Sequence, residues 1–264
     1  MTAFSRYAAC PVDDEEKAWV EKSMLWLTKQ FGKKTLQEVE VILPEKEYFP
    51  DPFSKSQSGV AKVVERVCGY MRVNPKKIRA EIYSETARHP PEAAALPGGR
   101  PAESKVSAGR YIGSDETGGK AIIAIEKRKL DDPIALVATV AHELGHVRLL
   151  GERRLTGEEP DHEPLTDLTA IFFGLGIFIA NAAFEFGQWQ HSLSYGWSAS
   201  RHGYLNEPMY GYALACFAWL RGEYEPDWNR YLDPNPRKYF KNGLRHLDET
   251  RETTLPMHHA WPQD

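Results

Sequence analysis

His142, Glu143 and His146 stand in the order His-Glu-x-x-His within the stretch Ala141-His142-Glu143-Leu144-Gly145-His146-Val147. On a helix, residues four apart lie one turn apart on the same face, so these two imidazoles converge on a single point. Glu143 then lies beside it. Two neutral imidazoles hold a divalent ion such as zinc, and a neighbouring carboxylate is placed to take a proton from a water bound to that ion, which is the chemistry of hydrolysis. A catalytic zinc takes three protein ligands and keeps one position open. Glu163 supplies the third ligand from the next helical segment, with Asp161 and His162 as rivals for that place. Asp167, one turn beyond Glu163, is in reach of the second ring N–H of a ligand histidine, which it would orient.

The helix that must carry the histidines has well-marked ends. Asp132 is a natural N-cap, Pro133 suits the first helical position and Gly151 follows the last apolar residue, so a helix is expected from about 133 to 150. Ala138, Ala141 and Gly145 form a small-residue stripe along which another element can approach closely. A charged connection, Glu152 to Asp161, follows. Pro164 then opens a long helix to about Phe186 with Glu163 at its N-cap, where free backbone N–H groups and the helix dipole favour an ionised carboxylate. Inside it, Ala170 to Ala180 is apolar on every side, as a helix surrounded by protein should be, and too short for a membrane span.

Upstream, the periodicity predicts a helix over 14–31, a strand over 35–43 ending at Pro44, a loop over 48–53, a helix over 58–71 and a strand over 78–83. Residues 86 to 108, rich in proline, glycine and alanine, read as a loop. Tyr111-Ile112 and the run 121–125 read as two further strands, a hairpin. The last third is aromatic, with helices expected at Gly211–Leu220 and Pro236–Leu247, its rings forming core. The result is an α+β chain of one domain, 1–264. A strand-rich lobe of small mixed sheet and two helices covers 1–127, a helical lobe carrying the site 128–249 and an irregular tail 250–264.

His142-Glu143-Leu144-Gly145-His146 followed by Glu163-Pro164-Leu165-Thr166-Asp167 resembles the H-E-x-x-H plus E-x-x-x-D signature of the gluzincin metallopeptidases, including the compact minigluzincins, over about 26 residues from 142 to 167. The proline directly after Glu163 departs from that pattern. The resemblance implies a zincin-like fold, with a small sheet whose edge strand, here 121–125, holds an extended peptide or protein substrate. It also implies Zn2+ held by His142, His146 and Glu163, Glu143 as general base on the zinc-bound water, and Asp167 supporting a ligand ring. The metzincin pattern is excluded, because Leu149 and Glu152 stand where it needs glycine and histidine. Peptide hydrolysis also calls for a donor to the developing oxyanion; Tyr204 and His202 are the expected residues, in a downstream group that includes His191, Tyr195 and Arg201. The alternative function is a non-catalytic zincin-like binding or regulatory protein whose zinc stabilises the fold.

Composition bounds the rest. A net charge of -4 and a sequence pI near 6.2, with both signs mixed along the chain, carry no nucleic-acid footprint. Cys10, Cys68 and Cys216 are odd in number and widely spaced, so they read as free thiols of a reducing compartment. The first residues lack the apolar run of a secretory signal. A cytoplasmic protein without a membrane partner is the expectation.

Overall fold

The computed structural model describes residues 8–84, 109–114, 119–159, 161–191 and 205–258, with 109–114 and 184–191 as backbone only. Eleven elements are used below: α1 Asp14–Phe31, α2 Lys33–Glu38, α3 Gln57–Tyr70, β1 Ile78–Tyr83, β2 Gly109–Ser114, β3 Ala121–Glu126, α4 Pro133–His146, α5 His162–Phe172, α6 Gly176–His191, α7 Glu207–Arg221 and α8 Pro234–Thr250. Among the described residues the chain is α-rich with one small sheet, an α+β arrangement whose strands fall in the first half.

The sheet runs in the order β1-β3-β2. β1 pairs parallel with β3, Ile78 opposite Ala121, and β2 pairs antiparallel with β3, as expected of a hairpin. This corrects the placement of the edge: the strand over 121–125 is central, and the edges are β1 and β2. Ala121, Ile123 and Ile125 point one way and are buried, which makes this face the roof of the helical layer.

α4 is the centre of the molecule. Asp132 caps it by accepting hydrogen bonds from the N–H groups of Ile134 and Ala135 at 2.8 and 3.2 Å, with Pro133 at the first position. Every residue from Ala135 to His146 is buried, because α3, α5, α6, β2 and β3 surround the helix. The stretch Pro133–Gly151 is long and apolar enough to cross a membrane, and its apolar window is 72% buried within the fold. Its hydropathy is that of a core helix. The last turn, Val147–Gly151, widens to π geometry before the chain leaves toward α5.

Two sequence expectations are corrected. The strand over 35–43 is instead the short helix α2 followed by an extended segment that joins no sheet. Its backbone is satisfied from far away: the Arg221 guanidinium donates to the carbonyls of Leu36 and Val39 at 2.6 and 2.8 Å, and the Ile42 N–H donates to Gly174 O at 2.9 Å. The long helix over 164–186 is two helices. Gly174 adopts a φ of +84°, and a Cβ there would lie 2.0 Å from Glu40 O, so the break between α5 and α6 is where the extended segment crosses. The loop expected over 86–108 lies outside the described residues. The helices expected at 14–31, 58–71, 211–220 and 236–247 are present as α1, α3, α7 and α8. The buried apolar side chains of sheet and helices form one continuous core, with Tyr210, Tyr212, Phe217 and Trp219 of α7 inside it.

Candidate metal centre

The site lies where α4 and α5 cross. Gly145 makes the crossing close: a Cβ at this position would sit 2.6 Å from Thr166 Cγ2 and 2.9 Å from Thr166 O. Replacing it with alanine must push the helices apart. G145A is expected to lose about 1–3 kcal/mol of stability, as overpacked cores do, and to bind metal about ten-fold more weakly because Thr166 moves off its histidine. Denaturant unfolding and chelator competition measure the two effects.

Across the contact, His142 Nε2 and His146 Nε2 stand 3.2 Å apart, and Glu163 Oε2 lies 3.2 Å from the first and 3.4 Å from the second. The two rings are nearly perpendicular, at 87°. His142, His146 and Glu163 thus form a group that could hold a metal ion. Glu163 sits in the first turn of α5 rather than at its cap. The helix begins two residues earlier than expected, at His162, with Asp161 at the N-cap. Pro164 is therefore in the first turn, where a missing N–H costs nothing, and the proline leaves the aim of Glu163 intact.

The outer side of each ring shows which nitrogen faces inward. Asp167 Oδ1 lies 2.8 Å from His142 Nδ1, and an ionised carboxylate only accepts, so Nδ1 carries the proton. Thr166 Oγ1 lies 3.3 Å from His146 Nδ1 and gives its own proton to His162 O at 2.7 Å, so its oxygen receives the Nδ1–H of His146. Neutral rings held in this way turn two Nε2 lone pairs toward Glu163 Oε2, a buried oxygen with no hydrogen-bond donor among the described residues. Three electron-pair donors at such separations repel unless a cation lies between them.

The electrostatics agree. Burial works against a charged His142, yet Asp167, then Glu163 and Glu143, raise it well above the ordinary histidine value. Burial keeps His146 below that value. Burial also opposes the Glu163 carboxylate, and the closeness of the His142 and His146 rings outweighs burial, holding Glu163 far below the usual range. The three atoms call for positive charge between them, which a proton on His142 or a metal ion supplies. Glu143, one residue along α4 from His142, is buried beside it and outside the ligand group.

The rival third ligands have other partners. Asp161 accepts from Trp19 Nε1 at 3.1 Å. His162 donates from Nδ1 to Glu159 O at 2.8 Å, and its Nε2 lies 3.3 Å from Glu163 Oε1. Neither Cys10 nor Cys216 belongs to the group. All three cysteines are free, and burial pushes the Cys10, Cys68 and Cys216 thiols up. Tyr204, His202, Tyr195 and Arg201 lie outside the described residues, as does the side chain of His191.

Two residues of the site escaped sequence reading. Thr166 sits between Glu163 and Asp167 and orients His146. Its only signal was its place in the first turns of the ligand helix. Tyr210, on α7, donates from its hydroxyl to Asp167 Oδ2. Nothing local marks it among the aromatics of α7. No known family model matches the sequence, and no curated protein or solved structure matches it significantly.

Proposed function

We propose that the chain is a zinc-dependent hydrolase, a metallopeptidase of zincin-like fold that cleaves peptide bonds. The observation that carries this reading is the three-atom group itself. Tetrahedral zinc with bonds of about 2.0–2.1 Å needs its ligand atoms about 3.3 Å apart. The separations of 3.2, 3.2 and 3.4 Å among His142 Nε2, His146 Nε2 and Glu163 Oε2 fit that requirement before any ion is present. No fourth histidine, cysteine or carboxylate among the described residues joins the group, which favours an open catalytic position over a closed structural one.

A bound zinc would supply Lewis acidity, polarising a carbonyl and lowering the pKa of water. The protein's own groups would do the rest. Glu143, buried beside the ligands, would take the proton of the attacking water and deliver it to the leaving amine. Asp167 and Thr166 keep both ligand rings in the tautomer that presents Nε2. β2 is the sheet edge bordering α4, so an extended peptide would pair with it by strand addition.

Purified protein should contain one zinc per chain and cut members of a broad peptide library. A strong chelator should abolish cleavage and added zinc should restore it. Stoichiometric zinc with no cleavage of any peptide would favour the fold-stabilising alternative. Absence of zinc under metal-replete conditions would remove the reading altogether.

A further inference from the structure

We propose that Tyr210 is a positioning residue for the metal centre: through Asp167 it fixes the His142 ring, and so sets how tightly the site holds zinc. The proposal rests on the zinc reading above.

Asp167 is 3% exposed, so its carboxylate must find its hydrogen bonds inside the protein. One oxygen faces His142 Nδ1 and the other accepts the Tyr210 hydroxyl. With only the histidine as partner, the carboxylate would keep a buried oxygen unsatisfied and be free to turn about its Cβ–Cγ bond. The Tyr210 hydroxyl removes that freedom. Its two partners come from different helices, α4 and α7, so the plane of the carboxylate is set by both and the imidazole follows it. Outer partners of this kind govern metal affinity by orienting the ring and strengthening its basicity.

The hydroxyl is itself held firmly. Tyr210 is 2% exposed and lies in the first turn of α7, where Asn206 caps the helix by accepting the Met209 N–H at 2.9 Å. The next residue, Gly211, lets α8 approach so closely that a Cβ would lie 2.3 Å from Tyr239 Cβ and 2.9 Å from Phe240 N. α7 is thereby wedged between α5 and α8. The packing of these helices fixes where the Tyr210 oxygen lies, and through it a ligand on α4. A merely structural tyrosine would be satisfied by any buried acceptor; this one ends on a carboxylate that meets a ligand ring.

The test is a double-mutant cycle in zinc affinity, read by competition with a chromophoric chelator in wild type, Y210F, D167N and Y210F/D167N, with visible spectra of the cobalt-substituted proteins alongside. Y210F should bind zinc about ten-fold more weakly than wild type and show an altered cobalt spectrum. In the D167N background the same change should cost nothing further, since the path through Asp167 is already broken. Equal affinity in Y210F and wild type, or losses that multiply in the double variant, would overturn the proposal. Unfolding midpoints with and without zinc separate the packing contribution: a Y210F protein that gains as much from zinc as wild type also overturns it. A wild type that binds no zinc would instead remove the zinc reading, and this proposal with it.

Discussion

E143Q should retain one zinc per chain and lose roughly 10²–10⁴-fold in peptide turnover, which is what a positioned general base contributes. Glutamine keeps the size of the side chain and removes its ability to take a proton. The metal should stay, since Glu143 lies outside the group formed by His142, His146 and Glu163. Metal analysis and initial rates on the best library peptide decide this. Wild-type rates in E143Q would take the base out of the mechanism. Loss of zinc together with activity would show that the residue supports the site rather than the reaction.

The parts of this site that were legible in the sequence are those encoded within one helix or its ends. Asp132, Pro133 and Gly151 marked α4 because capping chemistry is local. The pair His142 and His146 was legible because helical spacing alone brings the rings together. Asp167 was legible for the same reason once Glu163 was placed. What stayed hidden depends on partners distant in the chain. Leu36, Val39, Val41 and Leu43 alternate well enough to suggest a strand, but the donors for that backbone are an arginine on α7 and not a neighbouring strand. Gly174 looked like one residue of a continuous apolar helix. Only the passage of Glu40 across it shows why the chain must turn there. Strand order was misplaced because the edge role of 121–125 came from the resemblance, although the unbroken apolar run of Ala121 to Ile125 is that of a strand covered on both faces. Tyr210 was one aromatic among many until α7 was seen to meet α5. Fold class and the candidate ligands thus follow from local pattern, whereas the contacts that orient them follow from helix packing.

The same helix α7 supports a second expected result, concerning stability. E21Q should cost about 3 kcal/mol at neutral pH, and the deficit should shrink as the solution is acidified below about pH 4. Glu21 of α1 is 1% exposed. Its Oε1 accepts the Tyr212 hydroxyl at 2.7 Å, and its Oε2 accepts both the N–H and the hydroxyl of Thr254 at 2.7 Å each. Lys17 lies 3.5 Å from the same carboxylate. One side chain therefore ties α1, α7 and the C-terminal segment together. Burial pushes its carboxyl up, but the hydrogen bonds from Thr254 and Tyr212 outweigh burial and hold it below the ordinary 4.5. A carboxyl more acidic in the folded than in the unfolded chain binds fewer protons when folded. Its contribution is complete above the unfolded value and fades as pH falls through the folded one. Glutamine cannot ionise and turns an N–H₂ toward donors that need an acceptor, so its deficit at neutral pH is large. Wild type then approaches it in acid, where its own carboxyl takes up a proton. Urea unfolding of both proteins between pH 7 and 3, followed by far-ultraviolet circular dichroism, measures the gap. A difference that stays constant over that range would mean that Glu21 acts through shape and not charge, and that the hydrogen bonds from Thr254 and Tyr212 do not stabilise its ionised form.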